Sequence, residues 1–203
     1  MRTIVCIMLI VIFTFLGCQN APTNPTDSIC VPTSSTSYTT PKTIESGPQY
    51  EILELGAWKY AYIIYDMQGN IVLQVETGNA YPEISLLEDN VLGVQVKKGT
   101  GVSVHRYYNL SENLLSREYQ YVIAYCNGNV AYIEVPQENP LQERYLVIEN
   151  IEENESPKTY NIDFAMVDSP VIDANFINNG KALTITYLAG DGQNETTQTI
   201  DLT

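Results

Sequence analysis

The sequence predicts an all-β domain of antiparallel hairpins, and three observations carry that reading. Short β-branched and aromatic runs recur from Gln49 onwards. Clusters of Asn, Asp and Gly separate them, and no segment holds a 3.6-residue apolar period of useful length. Side chains branched at Cβ and flat rings pack well on a pleated surface, which favours strands over helices here.

Taken in order, the runs read as strands over Trp58–Tyr65, Ile71–Val75, Glu83–Leu87, Val91–Val96, Val102–Tyr108 and Val122–Tyr125. They continue over Val130–Val135, Arg144–Ile148, Tyr160–Phe164, Ala182–Tyr187 and Thr196–Leu202. Turn chemistry fills the gaps: Asp66 to Asn70, Asp89-Asn90, Gly99 to Gly101, Asn127-Gly128, Asn178 to Gly180 and Gly190 to Gly192. Pro82, Pro136, Pro140, Pro157 and Pro170 all fall at run edges, where a missing N–H breaks no ladder.

An internal repeat orders these hairpins. Tyr65-Asp66-Met-Gln-Gly-Asn70-Ile71-Val72 aligns without gaps on Tyr108-Asn109-Leu-Ser-Glu-Asn113-Leu114-Leu115, 43 residues on. A second element recurs at Ile84–Val91, Val122–Val130 and Ile172–Leu183, each a short strand ending in Asn, Asp or Gly before another apolar strand. A period near 40 residues with about four strands per unit resembles β-propeller blades of the WD40-like kind. The resemblance is one of spacing, since that family's dipeptide and histidine signatures are missing. It implies blade-like antiparallel meanders in a small or partial propeller-like array. A β-sandwich built from the same hairpins is the alternative, because strand arithmetic does not fix closure.

The N-terminus reads as an address. Met1-Arg2 precedes fourteen uncharged residues, Thr3 to Leu16, too few for a membrane span of about 20 residues and suited to a signal peptide. Phe15-Leu16-Gly17-Cys18 then resembles the lipobox of bacterial lipoproteins. The resemblance implies cleavage after residue 17 and a lipidated Cys18 that anchors the chain to the extracytoplasmic face of the cell membrane. Two acyl chains make a stable anchor, at about 0.8 kcal/mol per buried CH₂. Phe15 departs from the usual Leu. The organisation also looks like that of Gram-positive cell-surface lipoproteins.

Residues 19–48 hold 12 Ser/Thr and 5 Pro in 30 positions and lack any apolar pattern. Such a stretch buries too little surface to offset its ordering entropy, so residues 18–48 read as a lipidated tether and 49–203 as one all-β domain. The formal charge of −14 argues against nucleic-acid binding, which needs a basic footprint. Removing residues 1–17 takes away only Arg2, leaving 9 basic and 24 acidic groups.

Catalytic signals are sparse. His105 is the only histidine and shares one strand face with Ser103 and Tyr107. No nucleophile elbow or phosphate loop is present, and no metal or cofactor is expected. The acidic stretches Glu149–Glu155 and Asp191–Glu195 offer oxygen ligands but match no twelve-residue calcium loop. Of four cysteines, Cys6 leaves with the signal and Cys18 takes lipid; Cys30 and Cys126 are left as a candidate disulfide in an oxidising exterior. A buried unpaired thiol at Cys126 is the competing reading.

Tyrosine is in excess, with 15 against one Trp and four Phe. Trp58, Tyr60 and Tyr62 alternate along one strand and form the candidate binding face, with core packing as the alternative role. The expectation is a non-enzymatic lipoprotein that binds an extracellular protein, peptide or glycan. A carboxylate-dependent hydrolase of cell-wall or carbohydrate substrates and a purely structural envelope protein are the alternatives.

Overall fold

A computed structural model describes residues 40–88, 90–99, 101–136, 143–152 and 156–202. Among the described residues sixteen strands form four antiparallel sheets, each built on a meander of strands adjacent in the chain. The first sheet runs β1 (Lys42–Gly47), β2 (Tyr50–Gly56), β3 (Lys59–Tyr65) and β4 (Ile71–Gly78). The second holds β5 (Pro82–Leu87), β6 (Val91–Lys97), β7 (Ser103–Asn109), β8 (Leu114–Leu115) and β9 (Tyr119–Gln120). The third holds β10 (Val122–Cys126), β11 (Asn129–Glu134), β12 (Tyr145–Asn150) and β13 (Lys158–Asn161). The fourth holds β14 (Val171–Ile177), β15 (Ala182–Ala189) and β16 (Asn194–Asp201). The sheets begin at residues 42, 82, 122 and 171, so the blade-like period of about 40 is real through the first three.

The last residues assigned to the tether by composition are part of the first sheet. Residues 42–47 are β1, paired with β2 from Lys42↔Glu54 to Gly47↔Tyr50. Most of its side chains are exposed, so this edge strand is held by backbone bonds and leaves no alternating signature. Strand β2 likewise carries charged residues among its apolar ones, which hid it, whereas β14 is the short strand that opens the third copy of the second repeat element.

Three buried clusters join consecutive sheets. Tyr62, Ile64, Leu92, Val94, Val96 and Tyr108 lie between the first and second. Val91, Tyr107, Tyr119, Val130, Tyr132 and Val147 lie between the second and third. An aliphatic set including Ala131, Ile133, Leu146, Ile148, Leu183 and Ile185 lies between the third and fourth. The middle sheets therefore bury both faces. Along β11, Val130 and Tyr132 point one way while Ala131 and Ile133 point the other, which is why such strands read as unbroken apolar runs.

The aligned repeat has a physical basis in its first polar residue. Asp66 Oδ1 accepts the N–H of Gln68 and of Asn70 at 2.9 and 2.7 Å, and Asn109 Oδ1 accepts those of Ser111 and Glu112 at 2.9 and 3.0 Å. Asn150 Oδ1 does the same for Glu152 at 2.9 Å. Each of these residues opens the third hairpin of its sheet, using a side-chain oxygen in place of a backbone acceptor. Asn127 and Gly128 both take left-handed φ, 48° and 74°, as a two-residue hairpin requires.

Candidate functional site: an aromatic patch on the first sheet

Trp58 was expected inside a strand, but it sits in the turn between β2 and β3 with φ 60°. A bulky side chain in that region is strained, by about 1–2 kcal/mol. The ring is also 76 % exposed. Gly56, at φ 142°, and a register shift between Glu54 and Gly56 tighten the hairpin and push Trp58 to its tip.

The three residues expected to form one face separate in the structure. Tyr62 is 2 % exposed and belongs to the core between the first two sheets. Its position three residues into β3, under the second sheet, removes it from any surface. Tyr60, nearer the strand's start, is half-buried and meets Tyr81 edge-on with ring centroids 5.3 Å apart. Tyr81 stands just before β5, is 41 % exposed, and donates its hydroxyl to Glu45 Oε2 at 2.7 Å. Tyr50 donates to the other oxygen, Glu45 Oε1, at 3.0 Å. The bond to Glu45 holds the Tyr81 phenol protonated, pushing its pKa up to about 12. The site is therefore Trp58, Tyr60 and Tyr81, with Glu45 on β1 fixing two phenols. Tyr81 and Glu45 escaped sequence reading because their strands lie far apart in the chain.

The larger tyrosine cluster is internal. Tyr107 stacks on Tyr125 at 4.5 Å and 16°, and Tyr119 packs on both Tyr107 and Tyr132. The fourth-strand position of the second sheet breaks at buried Ser116, whose Oγ accepts the Tyr107 N–H at 2.9 Å and donates to the Arg117 carbonyl at 2.7 Å. That break turns Arg117 over the Tyr119 ring, 4.4 Å from its centroid. Arg117 Nη2 donates to Glu149 Oε2 at 2.6 Å and to the Tyr132 hydroxyl at 2.7 Å, while the Tyr119 hydroxyl donates to Glu149 Oε1 at 3.0 Å. Burial pushes the phenols of Tyr107, Tyr119 and Tyr125 well above their ordinary range. These rings clamp two sheets together, the core role that tyrosine excess also allowed.

His105 forms a bond with Ser103, Oγ to Nε2 at 2.8 Å. Burial lowers its pKa, which keeps the imidazole neutral at pH 7. Ser103 also lines a groove of about 470 Å³ with Ile123, Ile133, Val135, Arg144 and Val171. Among the described residues no side chain bonds the second ring nitrogen of His105, so the pair lacks the orienting group of a nucleophile–base array. Arg144 donates from Nη1 to the Val167 carbonyl, and its buried Nε has no partner among the described residues.

Among the described residues Cys126 has no disulfide partner; it is half-buried, and burial raises the pKa of its thiol. Cys18 and Cys30 lie outside the described residues. Asp191 Oδ1 accepts the Gln193 N–H at 3.0 Å, a turn-forming role, and among the described residues no three His, Cys, Asp or Glu side chains converge as metal ligands. No helix among the described residues is long and apolar enough to cross a membrane. No protein-family model matches the chain, and no curated protein sequence matches it.

Proposed function

We propose that this chain is a non-enzymatic binding module, anchored by lipid on Cys18 to the extracytoplasmic face of the cell membrane, that captures an extracellular protein, peptide or glycan through Trp58, Tyr60 and Tyr81. The lipobox-like Phe15-Leu16-Gly17-Cys18 motivates the anchor. One observation supports the site: the sole tryptophan is spent on a hairpin tip, 76 % exposed, in a conformation that suits glycine. The left-handed φ costs folding free energy and the exposed ring recovers little by burial, and a ligand that covers the ring supplies that missing burial. An exposed indole at the hairpin tip and the edge-on Tyr60–Tyr81 pair are surfaces that accept the face of a sugar ring or of a proline or aromatic side chain.

Trp58 is its own reporter. Its fluorescence is expected to shift and saturate with soluble cell-wall glycan fragments or with extended proline- and aromatic-containing peptides. Trp58→Gly is expected to abolish that binding, read by calorimetry, while stabilising the fold by up to about 1 kcal/mol through relief of the left-handed φ. Binding that survives Trp58→Gly overturns the site. Cys18→Ala is expected to move the protein from the membrane to the soluble fraction, and unchanged fractionation overturns the anchor.

The carboxylate-hydrolase reading finds less support. The acids that face other reactive groups are already engaged: Glu45 by two phenols, Glu118 by Arg106 and Lys98, and Glu149 by Arg117 and Tyr119.

A further inference from the structure

The first three sheets each place a further strand beside their third: β4 beside β3, β8 and β9 beside β7, and β13 beside β12. The fourth sheet has three strands, and among the described residues no strand pairs with the outer side of β16 over Glu195 to Ile200. An open edge of this kind is normally guarded against stray pairing by a bulge, a proline, a lysine or shortness. Every other outer strand carries such a guard. Register shifts interrupt β1, β4, β10 and β14; β5 starts with Pro82; β8 and β9 have two residues each; and β13 has four, with a lysine.

β16 carries none of these. It pairs with β15 at eight successive positions, from Ala182↔Asp201 to Ala189↔Asn194, without a shift. Its sequence, NETTQTID, has neither proline nor a basic residue. Thr197 and Thr199 are paired with Thr186 and Thr184 by hydroxyl bonds of 3.0 and 3.2 Å, which fix the cross-strand register.

We propose that the outer edge of β16, over Glu195 to Ile200, is a docking site for an extended, cationic segment of a partner protein, which adds as the missing fourth strand. The repeat fixes the geometry: in each other sheet that strand runs antiparallel to the third. Main-chain bonds supply the affinity and alternate side chains the selectivity. The partner's lysines or arginines lie beside Glu195, Thr197 and Thr199 on the exposed face, and its β-branched residues beside Ile200 on the core face. Charge decides against a second copy, because the docking edge carries Glu195 with no basic residue and the chain as a whole carries −14.

The test uses the full chain in detergent and a labelled eight-residue peptide of alternating lysine and valine, capped at both ends. Saturable binding by fluorescence anisotropy is expected, with loss of about tenfold or more when every backbone nitrogen of the peptide is methylated. Thr197→Lys restores the ordinary guard on an exposed side chain and is expected to weaken binding by about tenfold with an unchanged circular dichroism spectrum. Glu195→Gln is expected to weaken it about threefold at low salt. A methylated peptide that binds as well as its parent shows charge attraction alone and overturns the proposal. So does full binding to the Thr197→Lys protein, or no binding of the parent peptide.

Discussion

The second and third sheets meet through three valines and a cluster of tyrosines rimmed by an arginine and a glutamate; the third and fourth meet mainly through Ile, Leu and Ala, with Phe164 and Tyr187. Both contacts exclude water, but they do so under different rules. An aliphatic interface tolerates small shifts, because dispersion and area burial have no direction. The tyrosine interface has to seat its hydroxyls on polar partners at its rim: Glu149, with a side chain only 17 % exposed, accepts from the Tyr119 hydroxyl and the Arg117 guanidinium together, and the Tyr132 hydroxyl accepts from Arg117. The first gives bulk stability. The second gives register between sheets.

Three measurements sharpen or break that contrast. The largest effect is expected at the aliphatic contact: Leu146→Ala, at a fully buried position, should cost about 2–5 kcal/mol in urea unfolding. Glu149→Ala strands a phenol and a guanidinium and should cost about 1–3 kcal/mol. Arg117→Ala should cost less, since that side chain is 51 % exposed and water screens its pair. A Glu149→Ala cost above that of Leu146→Ala would show that the ionic clamp, not the aliphatic layer, holds the stack.

The smallest effect is alkaline. Burial raises the Tyr107, Tyr119 and Tyr125 pKa values above the ordinary 10.0, so above pH 10 the unfolded chain loses phenolic protons that the folded chain keeps. Stability from these rings is full below pH 10 and declines as pH rises beyond it. Tyr107→Phe should flatten that decline in a melting-temperature series. An identical slope in the Tyr107→Phe protein would assign the alkaline loss to other groups.

Much of the fold was legible because its strands announce themselves by composition and its turns by Asn, Asp and Gly. The Tyr65/Tyr108 alignment worked for a local reason: Asp66 and Asn109 make the same side-chain turn in the same hairpin of successive sheets. What escaped was set by distance along the chain. β1 is polar and visible only through its pairing with β2. Tyr60 and Tyr62 look equivalent in the sequence, yet one lies at the sheet's rim and the other under the second sheet. Trp58 fits a strand by propensity, and only the tight return from Gly56 to Lys59 places it in the turn.

Every sheet is a run of chain neighbours, and every buried cluster joins a sheet to the one before or after it. Contacts of this order close short loops, which speeds folding in a class that is usually slow. A nascent chain leaving a ribosome or a translocation pore N-terminus first can complete each sheet from residues already delivered. The next sheet then lands on a finished template. Vectorial delivery and the order of assembly thus coincide from the first sheet to the fourth.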